Sequence, residues 1–403
     1  MSESQKQLPM AGVRVLDLAT MLAGPFCATI LGEFGAEVIK VELPGKPGSS
    51  RSFGTTGAEG ASFIWLSEQR NKKSITLDLR TDAGRELIMK LIADTDIVVE
   101  NFMPGTLERW GLGFEEMKKV NPDVILVRVT AYGQTGPYND RPGFARIAHA
   151  FAGLSYLAGE PDGRPVMPGS TSLGDYITGL YGALGALLAY TARNKYGIGQ
   201  FVDIGLYEGV FRMLDEMISV YAKNGFVRER LGADTVNIVP HSHYETKDNK
   251  WIALACTNDT MWERMVKAMG QPELLAPDRF LKMSQRLAAR DEVNGIVAAF
   301  CKTMPRDELI EHCLGFEVPI GPIYNVADIH KDPQYLARKN FIEWDEPRTG
   351  KITIPNVIPK LSETPGEIRS LGPDVGQHND EIYRVRLGLS EAEMQKLKDS
   401  KVI

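Results

Sequence analysis

The chain has 403 residues, too many for one compact core, so two domains are the default expectation. Hydrophobic residues make up 43% and charged residues 24%, the balance of an ordinary soluble globular protein. A net charge of −6 argues against general nucleic-acid binding, which needs a basic surface, but leaves room for a local basic patch that receives phosphates.

The opening segment MSESQKQLPM is polar and reads as no signal peptide. Residues 13–18 (VRVLDL) read as a buried strand, 23–34 as a helix closed by Gly35, and Glu37–Glu42 (EVIKVE) as the next strand. A strand is expected at 74–79, then a helix at 82–94 capped by Thr81, then a strand at Ile97–Glu100. Phe114–Val120 is helical and 124–130 (VILVRVT) is a strand. This alternation predicts an α/β fold with a Rossmann-like, doubly wound parallel sheet. The dinucleotide fingerprint is missing: the loop after the first strand, residues 19–25, is ATMLAGP and holds no GxGxxG. An NAD-dependent dehydrogenase is therefore not expected.

Further on, MPGSTSLGDYITGLYGALGALLAYTARNKYGIGQFVDIGLYE (167–208) places Asp175 after Gly174 and ahead of a long helix rich in small residues. Its longest apolar run, 177–190, is too short to span a membrane. A strand at 199–204 and a helix at 206–223 follow, with a boundary candidate near 224–237. The smaller α+β unit beyond it has strands near 244–245 and at Trp251–Ala255. Helices follow at 260–269, 289–303 and 307–314, then a loop at 315–322, and the chain closes with a helix at Glu391–Asp399. The expected division is 1–205, a linker helix 206–230, a small domain 231–325, and 326–403 as linker and return. Four cysteines, Cys27, Cys256, Cys301 and Cys313, match no zinc spacing, so no metal is expected and the cytoplasm is the natural compartment.

Asp175 has two compatible readings. Asp is a good N-cap, and the helix is expected to begin at Tyr176. An ionised carboxylate pinned at a helix start can also attack an activated acyl group, with the helix dipole lowering its pKa and Gly174 leaving room for a bulky thioester.

The segments LAGPFC (22–27), GAEVIKVE (35–42), NKKS (71–74), ENF (100–102), YGQTGP (132–137), GD (174–175) and GQFVDIGLYE (199–208) resemble the class III CoA-transferases. That family includes formyl-CoA transferase and carnitine CoA-transferases. The segment VIPKLSETPG (357–366) is similar to the subgroup that uses succinyl-CoA and dicarboxylic acids. The resemblance implies a large domain built from both chain ends, a small middle domain and an interlocked dimer, or a heteromer with a related subunit. It implies Asp175 as nucleophile, passing through an aspartyl anhydride and an aspartyl-CoA thioester. It implies CoA contacts at Leu22, Ala23, Asn71, Lys72, Lys73, Asn101, Phe102 and Arg109. The CoA thioester is a substrate, and no permanently bound cofactor is expected.

The chain departs from the family in places. Leu43 stands where formyl-CoA transferase has an Arg, with Lys46 or Arg51 as replacements. The small domain lacks a glycine-rich lid; its place is taken by NIVPHSHY (237–244). Racemases of the same fold carry a His–Asp pair where this chain has Phe144 and Ala145, which weakens a racemase reading. His149 reads as a core or supporting histidine. A second carboxylate on the acceptor points to Arg146, with His241 behind it, although each also has a structural reading. The other alternative is a CoA-binding subunit of a two-subunit transferase, against which the presence of Asp175 speaks.

Overall fold

The computed structural model describes residues 8–46, 48–57 and 61–403; the polar segment 1–7 lies outside them. The chain forms two compact units. One comprises Met1–Leu154, Met167–Met217 and Arg338–Ile403; the other comprises Ser155–Val166 and Ile218–Ala337. The helix beginning at Leu206 thus stays with the first unit, while Ser155–Val166 leaves it, a division placed elsewhere than 205/206.

The first unit is built on six parallel strands: β1 Arg14–Asp17, β2 Glu37–Glu42, β3 Lys72–Thr76, β4 Ile97–Glu100, β5 Ile125–Thr130 and β6 Phe201–Gly205. Their order is β3-β2-β1-β4-β5-β6. Both faces are covered. Leu16, Ile39, Val98 and Leu126 enter one core, while Val15, Val38, Val99 and Val127 enter the other. Two buried faces explain why β4 (IVVE) and β5 (ILVRVT) read as near-continuous apolar runs rather than alternating ones. The order reverses direction between β1 and β4, and a crevice opens at the carboxyl ends of strands on either side of such a switch.

Two helices pack closely beside that switch. Thr29, Cys27 and Leu31 of helix Ala23–Glu33 are buried, as are Gly179, Gly182, Ala183 and Ala186 of helix Leu173–Tyr196. A Cβ at Gly179 would lie 2.8 Å from the Ala23 carbonyl oxygen, so only glycine permits this approach. The small residues thereby draw the first turn of the long helix towards the start of the other.

Three expectations differ from the structure. The third strand begins at Lys72, two residues before Ser74, because its register pairs Val38 with Lys72. The helix expected over 206–223 is two helices, Leu206–Arg212 and Met217–Asn224, parted where Asp215 takes a φ of 46°. The loop expected at 315–322 contains strand β9, Ile320–Pro322. It joins β7 (His241–Glu245) and β8 (Trp251–Ala255) as the third strand of the small unit's antiparallel sheet. That sheet shares its core with the helices Asp259–Met269, Arg290–Cys301 and Arg306–Gly315 through Ile252, Leu254, Trp262, Val297 and Leu309.

The C-terminal segment returns to the first unit. The Tyr383 hydroxyl donates to Thr76 O at 2.7 Å, and Asn379 Oδ1 accepts from Thr76 N–H. Among the described residues no helix is long and apolar enough to cross a membrane.

Candidate active site

A cavity of about 770 Å³ opens at the carboxyl ends of the strands in the sheet unit. Residues Leu18–Met21 after β1, Leu77–Arg80 after β3, Asn101–Met103 after β4 and Thr130 and Ala131 at the end of β5 all line it. This volume suits a ligand of cofactor size.

Its floor is held by buried charge. Asp17, at the end of β1, is fully buried between two lysines. Lys72 Nζ lies 2.8 Å from Asp17 Oδ2, and Lys40 Nζ 3.3 Å from Oδ1. Burial alone would raise the pKa of Asp17, but the two ammonium groups outweigh it and hold the carboxyl below its ordinary value. Burial pushes Lys72 down to about 8 against the pull of Asp17. The cluster clamps the loop over the sheet. Lys40 donates to Ala19 O, Lys72 to Pro25 O at 2.7 Å, and Asp17 Oδ1 accepts from Ala19 N–H at 3.0 Å. These bonds replace the glycine-rich turn whose absence the sequence announced.

Across the switch, Asn101 pairs with Thr20 as a backbone would. Its Oδ1 accepts from Thr20 N–H and its Nδ2 donates to Thr20 O, both at 2.7 Å. Glu100 is buried; Arg128 donates to its Oε1 and Phe102 N–H to its Oε2, each at 2.7 Å. Phe102 then meets Trp110 edge-on, with ring centroids 5.3 Å apart, forming an apolar wall.

Asp175 lines the same cavity. The helix begins at Leu173, with Ser172 as N-cap making no side-chain cap bond, so Asp175 sits in the first turn and is not the cap. Burial raises its pKa to about 6, opposite to the lowering expected from the helix start. The cause is desolvation: the carboxylate is largely buried and accepts no hydrogen bond from the described residues. Gly174 also plays a different part from the one expected. A Cβ there would meet His149 Nε2 at 3.1 Å and Val210 at 3.5 Å, so the glycine accommodates the protein's own packing.

Of the residues expected to hold CoA, the structure brings Ala23, Asn101 and Phe102 to the cavity with Asp175. Leu22 is buried just before Ala23 and does not line the cavity. Asn71, just ahead of β3, and Lys72 and Lys73, its first two residues, border a separate hollow. Asn71 Nδ2 donates to Glu367 O at 2.8 Å, Lys72 is spent on Asp17, and Lys73 pairs with Glu37 at 2.7 Å and Glu381 at 2.6 Å. Asn71 and Lys73 lie towards the opposite rim because a parallel strand presents its two ends to opposite rims of the sheet, while the Lys72 side chain turns inward to Asp17 beneath the cavity loop. Arg109 is exposed and donates to Thr106 Oγ1; it does not line the cavity. Arg146 lies exposed on helix Ala145–Ala152, outside the lining. His241 belongs to the small unit, beside a hollow it shares with His243 and Thr235.

Two exposed cations line the cavity: Lys46, which the sequence offered in place of the family Arg, and Arg80, which it did not. Lys46 is exposed and has no ion-pair partner among the described residues. Arg51, its rival as replacement for the absent family Arg, is engaged with Glu42 at 2.6 Å and stacked 3.7 Å over Trp65. Arg80, unmarked in the sequence, lines the cavity while held by Asp78 at 2.7 Å. Only its position one turn after β3 could have flagged it. No group of three His, Cys, Asp or Glu among the described residues is placed to hold a metal ion.

The sequence model of CoA-transferase family III matches residues 10–379. The chain is 49% identical over 400 residues to the alpha subunit of succinyl-CoA–L-malate CoA-transferase from Chloroflexus aurantiacus, covering 99% of this chain and 94% of that one. It is also 49% identical over 398 residues to the beta subunit of the same enzyme, covering 98% of each. Succinyl-CoA–D-citramalate CoA-transferase from the same organism is 43% identical over 403 residues, the full length of both. A crystal structure of a CAIB/BAIF family protein from Brucella suis superposes with a TM-score of 0.83 at 33% identity, covering 95% of this chain and all of that one.

Proposed function

The chain belongs to CoA-transferase family III, and on that premise we propose that it moves CoA from succinyl-CoA to a dicarboxylic acid, L-malate first. The observation that carries this reading is the Asp175 carboxylate, facing a cavity of about 770 Å³ at the sheet's switch point with Lys46 and Arg80 beside it.

The steps follow from the chemistry of a carboxylate. Asp175 attacks the thioester carbonyl; the C–S bond breaks, leaving an acyl-aspartyl anhydride and CoA thiolate. The thiolate attacks the aspartyl carbonyl of the anhydride, releasing succinate and leaving an aspartyl-CoA thioester. The acceptor carboxylate attacks that carbonyl, expelling the thiolate. The thiolate then takes the acceptor's acyl carbon and frees Asp175. With a pKa of about 6, Asp175 is more basic than an ordinary carboxylate and still about nine-tenths ionised at pH 7. The partly buried position keeps water from the anhydride.

Lys46 and Arg80 hold the CoA phosphates, with Ala23, Phe102 and Trp110 forming the apolar wall for its thinner arm. Replacing both cations with Ala raises the KM for succinyl-CoA by about 10- to 100-fold with kcat nearly unchanged, since phosphate contacts are made equally in ground and transition states. Steady-state kinetics against succinyl-CoA check this; an unchanged KM removes both residues from the phosphate site.

A second copy of the chain covers the row Leu180, Leu184 and Leu188, which are 52, 49 and 63% exposed on the long helix. Spacings of four residues put them on one face, and such an apolar stripe marks a contact surface. Equal identity to an alpha and a beta subunit favours one chain filling both roles. Four free, buried cysteines fit the reducing cytoplasm.

The function is tested by incubating the protein with succinyl-CoA and either L-malate or D-citramalate and following acyl-CoA products by mass spectrometry. Malyl-CoA with stoichiometric succinate supports the reading. CoA transfer to neither acid, with free CoA as the sole product, refutes it.

A further inference from the structure

His149 lies on helix Ala145–Ala152 and is completely buried. It does not line the cavity. Its Nε2 accepts a hydrogen bond from Gly174 N–H at 2.7 Å. That N–H is one of the donors a helix start leaves without an intrahelical partner. Ser172, the N-cap, supplies no side-chain bond to satisfy it. An imidazole from a different helix therefore does what a cap does elsewhere, on the residue immediately before Asp175.

The contact is close on both sides. A Cβ at Gly174 would come within 3.1 Å of Nε2, so ring and backbone touch directly. The other ring nitrogen, Nδ1, is buried with no hydrogen-bond partner among the described residues. An unpaired buried donor is costly, and an apolar side chain would avoid that cost. The imidazole is compensated only through Nε2, which must carry a lone pair to accept the Gly174 proton. Burial, and then Arg146 on the same helix, keep the ring neutral and so keep that lone pair available.

We propose that His149 is the positioning residue for Asp175: its Nε2 occupies the Gly174 N–H, fixes the first turn of the long helix and leaves the Asp175 carboxylate facing the cavity without that donor. This inference rests on the reading of Asp175 as nucleophile. Left free, the Gly174 N–H would be available to a carboxylate one residue away and would blunt its basicity. Engaged by His149, it cannot. The device thus serves both geometry and reactivity, from a side chain that never meets the substrate.

The test compares the full-length wild type with His149→Gln and His149→Leu. Each is mixed with succinyl-CoA, and the CoA adduct on the Asp175 peptide is timed by mass spectrometry alongside kcat and KM. The Gln Oε1 can accept the same N–H; Leu cannot. H149Q is expected to keep kcat and adduct rate within about 5-fold, whereas H149L loses about 30- to 100-fold in both with KM for succinyl-CoA within about 3-fold. A merely structural role would lower the thermal midpoint of both variants without this split. Wild-type kcat in H149L overturns the proposal, as does a folded H149Q that is as impaired as H149L. Should H149L not fold, H149Q decides alone: retained adduct formation supports the role and its loss overturns it. A wild type that forms no adduct overturns instead the nucleophile reading on which the proposal stands.

Discussion

Asp175→Ala removes the CoA adduct and lowers kcat by at least about 10⁴-fold, the scale of losing a covalent nucleophile. Mass spectrometry of the succinyl-CoA-treated protein and steady-state kinetics read the two effects; a variant with substantial residual transfer removes Asp175 from the chemistry. The pH profile carries a matching signature. Only the carboxylate attacks, so kcat/KM falls below a pKa of about 6 and is about tenfold lower at pH 5 than at its plateau. A limb near pH 4 instead would mean that the group is not desolvated.

The same burial predicts a gain in stability from the inactive protein. Unfolded, Asp175 ionises at its ordinary 3.8; folded, at about 6. Above pH 6 the folded state must bury a charge that the unfolded state keeps in water, and this penalty fades as pH falls towards 4. The shift corresponds to about 3 kcal/mol, and partial exposure to the cavity reduces it to about 2 kcal/mol. Asp175→Asn is therefore expected to raise the unfolding midpoint at pH 7.5 and to lose that advantage near pH 4. An active-site carboxylate held at a cost to the fold is a common trade between stability and activity.

The second large effect concerns Asp17. Asp17→Asn leaves the Lys40 and Lys72 ammonium groups buried without a counter-charge, which costs about 3–5 kcal/mol in chemical denaturation. In the wild type the folded-state pKa of Asp17 is depressed, so its stabilising contribution is present above 3.8 and is lost as pH falls through the lower folded value. Because Asp17, Lys40 and Lys72 also hold Ala19 and Pro25, the variant that does fold should bind succinyl-CoA more weakly. A loss below about 1 kcal/mol would mean that the lysines find other partners or deprotonate.

Local pattern carried much of this protein. The segments 124–130 and Glu37–Glu42 announced strands, and their alternation with helices pointed to the parallel, doubly wound class. Thr81 was legible as a cap because its hydroxyl needs only the Gly84 N–H three residues away. Asp175 stood out because a carboxylate beside glycine at a helix start is a local feature, and the motifs around it pointed to the transferase family. What the sequence could not decide depends on contacts between distant segments. Asn71, Lys72 and Lys73 resemble phosphate ligands as a basic run, yet β3's register turns them towards Glu367, Asp17 and Glu37. Lys46 and Arg80 reach the cavity only because the turns after β2 and β3 lie side by side. The rise in Asp175's pKa comes from burial, a sum over surrounding atoms that no single neighbour in sequence supplies. His149 meets Gly174 across 25 residues because two helices pack, and helix packing is settled by the whole core rather than by either segment alone.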